Sequence, residues 1–147
     1  MRTRISTPVA MHTLYHRLMA EGNMGVSLPQ CIWRYFRGGK LFDGLMFAHD
    51  TFSWNSAIRK VNGGKFFNEF ITNVKQMKVD KMEKLFLYSA HEDMLVALMK
   101  ILNIFKPHVP GYSNALVFEV HKGNNIDYIK IFHQSPSDDQ LEEDLRL

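Results

Sequence analysis

The sequence predicts an α/β fold, and three stretches carry that reading. Leu85-Phe86-Leu87-Tyr88 is an apolar run too short for a helix, bounded by Met82-Glu83-Lys84 and Ser89. It reads as a strand buried on both faces. A helix follows almost at once, with Leu95, Leu98, Met99 and Leu102 at i, i+3, i+4 and i+7, acids Glu92 and Asp93 in its first turn, and Asn103 as its stop. Ala115 to His121 and Ile126 to His133 then read as the two strands of a hairpin, with Lys122-Gly123-Asn124-Asn125 as the turn.

The first half of the chain reads as helical. Thr13 to Glu21 forms an amphipathic helix with Leu14, Leu18 and Tyr15 toward the core, and Gly22 to Gly25 ends it before the turn Ser27-Leu28-Pro29. Cys31 to Phe36 is short, aromatic and helical, and Trp33, Tyr35 and Phe36 read as core. Gly38-Gly39 breaks the chain before a third helix-like stretch, Lys40 to Trp54, with Leu41, Leu45, Phe47 and Phe52 apolar. Asn62-Gly63-Gly64 reads as a second break, Asn62 capping the helix behind it. That helix shows Phe66, Phe67, Phe70, Ile71, Val74 and Met77 on one broad face, with Lys65, Asn68, Lys75 and Lys78 largely opposite. Pro107-His108-Val109-Pro110-Gly111 excludes helix after Asn103. Three regions result: 1–61, 62–134, and an acidic tail, 135–147, expected to be loose.

Composition bounds the function classes. A chain of 147 residues with 46% hydrophobic and 22% charged side chains is ordinary for one globular domain. The formal charge of +3 is unevenly spread, because 135–147 carries five acids against Arg146 and leaves 17 basic and 10 acidic groups on the rest. That excess suits an anionic substrate. There is no contiguous basic run or nucleic-acid motif, so no nucleic-acid partner is expected. No apolar run approaches the roughly 18 residues of a membrane span. The opening MRTRISTPVAMHTL lacks the apolar core of a signal peptide, and localisation stays open. One cysteine, Cys31, excludes an internal disulfide. His108, His121 and His133 show no metal-ligand spacing with one another or with His91, so neither metal nor cofactor is expected.

The candidate site is Ser89-Ala90-His91-Glu92, between the carboxyl end of a strand and the amino end of a helix, where open α/β sheets bind ligands. The helix start offers free N–H groups and a partial positive charge suited to phosphate. His91 can donate a hydrogen bond to a phosphoryl oxygen, and Glu92 can carry a proton to a leaving alcohol if its pKa is raised. By spacing alone the plainer alternative stands beside this one, His91 as a hydrogen-bonded loop histidine and Glu92 as an acid matching the helix dipole.

The stretch LYSAHEDMLVALMKIL resembles the C-terminal catalytic stretch of histidine acid phosphatases, a strand, Tyr-Ser, a small residue, His-acid and a helix. It is most similar to the insect venom acid phosphatase-like members. LYHRLMAEGNMGVSLP, GGKLFDGLMFAHDTFSWNSAIRKVNGG and PHVPGYSNALVFEV resemble further segments of the family in the same order. The resemblance implies part of a phosphoglycerate-mutase-like (histidine phosphatase) fold: some of the helical cap, then the last strand, helix and hairpin of the sheet. It implies that His91 holds the phosphate and that Glu92, where the family usually has Asp, protonates the leaving oxygen of a phosphomonoester. Glu carries that carboxyl one methylene further, and Asp93 stands one place too late. It also implies a secreted or lysosomal setting for family members. One family disulfide has its two positions occupied here by His16 and Ala115, and Glu119 matches a structural glutamate.

The family nucleophile is the histidine of an Arg-His-Gly-x-Arg-x-Pro motif, and none of the seven histidines stands in such a motif. The chain therefore reads as a C-terminal fragment of an acid phosphatase, inactive alone. The alternative is a catalytically inactive remnant that binds phosphate or a protein, or pairs with a second copy through an exposed sheet edge.

Overall fold

Thr7-Pro8 starts the first helix, α1 (Pro8–Asn23), in the computed structural model, which describes residues 5–79, 85–124, 126–135 and 138–145. The Thr7 hydroxyl accepts the Ala10 N–H at 3.1 Å and proline takes the first helical position, where its missing N–H costs nothing. The helix thus begins earlier than the apolar periodicity alone indicates. Of the residues singled out above, 82–84, Asn125, Arg146 and the side chains of Lys78 and the acidic tail lie outside the described ones.

The chain divides into two units, 1–54 and 55–147. In the first, α2 (Gln30–Trp33) is a single turn, and α3 (Lys40–Thr51) packs against α1. Tyr15, Leu18, Leu28, Phe36, Leu45 and Ala48 form its core. Phe36 is central, its ring centroid 4.7 Å from that of Tyr15. Trp33 and Tyr35 are not core: they are 51% and 45% exposed, because the helix ends at Trp33 and the turn that follows directs Phe36 alone inward.

In the second unit, Asn55 rather than Asn62 is the cap, accepting the Ile58 N–H at 2.9 Å at the start of α4 (Ser56–Arg59). A five-residue π-helical turn (Lys60–Gly64) then runs directly into α5 (Lys65–Val79), so the Asn62-Gly63-Gly64 stretch widens a helix instead of breaking it. The reason is packing. α6 (Glu92–Ile101) lies against this turn, and Gly63 is buried beneath it, a Cβ there lying 3.3 Å from Cδ2 of Leu98 and overlapping Cδ1 of Ile101. Val96, Ala97, Leu98 and Met99 of α6 are buried, each of the larger ones contributing about 1.5–3 kcal/mol. Asn103 stops α6 as expected, with φ of 61°. The Ile104 N–H bonds the Met99 carbonyl at 2.9 Å and that of Asn103 bonds Lys100 at 3.1 Å, a Schellman ending.

β1 (Ala115–His121) and β2 (Tyr128–Ser135) form the antiparallel pair, Phe118 opposite Ile131 and Glu119 opposite Lys130. Phe66, Phe67 and Phe70 of α5 meet Phe118 with ring centroids 5.7, 6.4 and 5.2 Å away, which lays the helix on one face of the sheet. Ile71 of the same helix is 49% exposed and stands outside that face. The tail is not loose over 138–145: β3 (Asp138–Leu145) pairs antiparallel with β2, in the order β1-β2-β3. Its backbone satisfies the donors and acceptors along an edge of β2 that is otherwise open.

The architecture is mixed helix and antiparallel sheet, compatible with part of an α/β fold. A further element differs from expectation. Residues 85–91 form no ladder among the described residues, and Leu85 and Leu87 are 71% and 85% exposed. A strand buried on both faces needs neighbours along both edges, and no described strand lies beside this one.

Candidate functional site

The segment before α6 is held from one side. Asn73 of α5 donates a 2.8 Å hydrogen bond to the Tyr88 hydroxyl, and the Tyr88 ring stands edge-on to Phe66 at 5.3 Å. The Tyr88 hydroxyl also bonds the Glu69 carboxylate. Partial burial, then the negative charge and hydrogen bond of Glu69, raise the Tyr88 pKa above the ordinary tyrosine value, with the Asn73 donor opposing. Tyr88 therefore fixes the backbone three residues ahead of His91.

His91 itself is the residue that caps α6, with extended backbone (φ −90°, ψ 162°) and its carbonyl accepting the Met94 N–H at 3.0 Å. Its side chain makes no capping hydrogen bond and is exposed. Glu92 and Asp93, both half-buried, occupy the first helical turn. His91 and Glu92 are thus neighbours at the positive end of a helix of ten residues. An anion placed there meets the positive end of the helix dipole, an imidazole and a carboxyl.

The other histidines of this unit are engaged elsewhere. Glu119 bonds Nε2 of His121 at 2.9 Å, and the His121 ring stacks on Tyr128 at 5.0 Å. His108 bonds the Lys106 carbonyl at 2.7 Å through Nδ1, with its ring 5.3 Å from that of His133.

A second constellation lies in the first unit, and the sequence reading passed over it. His12 and His16 are four residues apart on α1, and His49 is on α3; their candidate ligand nitrogens all lie within 4.8 Å of one another. The sequence signal was His-x-x-x-His, two imidazoles on one helix face, but the third member is distant in sequence and becomes a neighbour only when α1 packs on α3.

No family model matches the chain, and no solved structure matches it. It is similar to "Venom acid phosphatase Acph-1" of Apis mellifera, 30% identical over 132 residues, which is 88% of this chain and 34% of the relative. It is also similar to "Putative acid phosphatase 5" of Caenorhabditis elegans, 31% identical over 85 residues, 55% of this chain and 20% of that protein. "Prostatic acid phosphatase" of Rattus norvegicus is 23% identical over 82 residues, 55% of this chain and 22% of the relative. The chain spans about a third of the length of the first of these and about a fifth of the other two.

Proposed function

We propose that this chain carries the phosphate-holding and proton-donating half of an acid phosphatase site, acting on phosphomonoesters. The observation that carries it is the exposed, uncapping His91 side chain at the amino end of α6, with Glu92 next to it, in a sequence similar to acid phosphatases. In this reading the α6 amides and His91 bind the nonbridging phosphoryl oxygens, neutralising charge that grows in the transition state. Glu92 gives its proton to the bridging oxygen as the P–O bond breaks, so the alcohol leaves neutral. The nucleophile is a histidine outside these 147 residues, in an Arg-His-Gly-x-Arg-x-Pro motif. It takes the phosphoryl group and passes it to water. In the complete phosphoglycerate-mutase-like sheet, Leu85–Tyr88 is a strand flanked on both sides.

The test is hydrolysis of an aryl phosphate between about pH 4 and 7, by the chain alone and by the chain joined to the Arg-His-Gly half of such a phosphatase. The chain alone gives no turnover. The joined protein turns over and loses most of its rate in His91→Ala. Turnover by the isolated chain that disappears in His91→Ala defeats the reading, as does a joined protein indifferent to His91.

A second reading is a non-catalytic binding module, and the exposure of Leu85 and Leu87 favours it. Two large exposed aliphatic side chains on a segment with no ladder partner among the described residues offer an edge for pairing with another chain, a second copy included.

A further inference from the structure

We infer that His12, His16 and His49 form a binding site for a single divalent cation of the imidazole-preferring class, for which Zn²⁺ is the probe. A helix puts residues i and i+4 on one face, so His12 and His16 of α1 project together, with ring centroids 4.3 Å apart. His49 reaches them from α3, its ring 6.0 Å from that of His12. Gly44 brings the helices close: a Cβ there would overlap the side chain of Met11, the neighbour of His12.

The burial and the donor set of the trio suit a cation. His49 is fully buried, and His12 and His16 are half-buried. Each neutral imidazole presents one nitrogen lone pair. With the candidate nitrogens all within 4.8 Å of one another, the three lone pairs can converge on one point. A tetrahedral Zn²⁺ with Zn–N bonds of about 2.0–2.1 Å needs nitrogens roughly 3.3 Å apart. Small rotations of the half-buried His12 and His16 rings supply that contraction. A set of three imidazoles selects Zn²⁺, Cu²⁺ or Ni²⁺ over Mg²⁺ and Ca²⁺.

The experiment titrates the metal-free full chain with Zn²⁺ against a chromophoric chelator. Expected is one Zn²⁺ per chain, with affinity falling at least about 100-fold in His12→Ala and in His16→Ala and unchanged in His121→Ala. Circular dichroism checks that the variants fold. His49→Ala is avoided because its burial makes misfolding a competing explanation. X-ray absorption at the zinc edge of the wild-type chain supplies a readout free of any variant: three imidazole nitrogens are expected. Absence of saturable Zn²⁺ binding, full binding by the His12→Ala/His16→Ala double variant, or a zinc shell with fewer than three imidazoles overturns the site.

Discussion

The Asn73 side-chain amide donates a 2.8 Å hydrogen bond to the Tyr88 hydroxyl, tying the middle of α5 to the segment that leads into His91. Because Tyr88 also bonds Glu69, its phenol is fixed between a donor and a carboxylate, and its proton is harder to remove than in an unfolded chain. The sign follows. A folded pKa above the unfolded value of 10.0 contributes stability that is fully present below pH 10 and is lost as pH rises through the folded value. An ultraviolet titration of wild type against Tyr88→Phe should therefore isolate a tyrosine component ionising above the ordinary range. The variant should also lose less stability than wild type between neutral and strongly alkaline pH. A Tyr88 component titrating at or below the ordinary value rejects this arrangement.

Gly63 and Ile101 make a second checkable contact. Gly63→Ala forces the Ile101 methyl aside and presses on Leu98, and overpacking of this kind costs typically 1–3 kcal/mol. Alanine recovers up to about 1 kcal/mol of helix propensity. The net expectation is a loss of about 1 kcal/mol by urea denaturation. Ile101→Val removes the methyl in the way, so the double variant should be more stable than the sum of the two single losses predicts. Strict additivity would show that the two residues do not press on each other.

How much of this was legible in the sequence depends on the range of the forces involved. The stop at Asn103, the strand Ala115–His121 and the amphipathic face of α6 are local, written in turn chemistry and periodicity, and the structure has them. In the sequence the Asn62-Gly63-Gly64 stretch reads as a break because glycines usually punctuate a chain, whereas it lies in a π-helical turn over Lys60–Gly64. Only the packing of α6 shows that Gly63 is there for close approach. The pairing of the acidic tail with β2 ran against composition, since Asp and Glu are poor strand formers and the gain comes from a long-range backbone ladder. His91 and Glu92 could be singled out because they are adjacent in sequence and start a helix. His49 could not be grouped with His12 and His16 without the α1–α3 packing.

The exposed Leu85 and Leu87 lead to a prediction about association. If this segment pairs with a second chain, the protein should show concentration-dependent oligomers by light scattering, and Leu87→Lys should shift them to monomer by placing a charge on the pairing edge. Helical content should not change, because Leu87 is 85% exposed and outside every helix. A clean monomer at all concentrations removes self-pairing through this segment.

The proton-donor role proposed for Glu92 can be separated from a purely structural one in a protein that joins this chain to the nucleophile-bearing half. Glu92→Gln keeps the size and hydrogen bonding of the side chain and removes its proton. A general acid contributes roughly 10²–10⁴-fold, but only where the leaving oxygen needs the proton. Nitrophenolate is a stabilised anion and departs without help, whereas a sugar alkoxide is strongly basic and does not. The variant should therefore lose far more rate on a sugar phosphate than on nitrophenyl phosphate. If Glu92 serves only the helix dipole at the start of α6, the loss is small and equal on both substrates, with about 0.3–1 kcal/mol of stability gone. Asp93→Asn, the next residue along the same turn, is the control and should stay near wild type on both. A leaving-group-dependent loss in Asp93→Asn with none in Glu92→Gln moves the acid to Asp93. It would mean that the longer Glu92 side chain places its carboxyl away from the scissile bond.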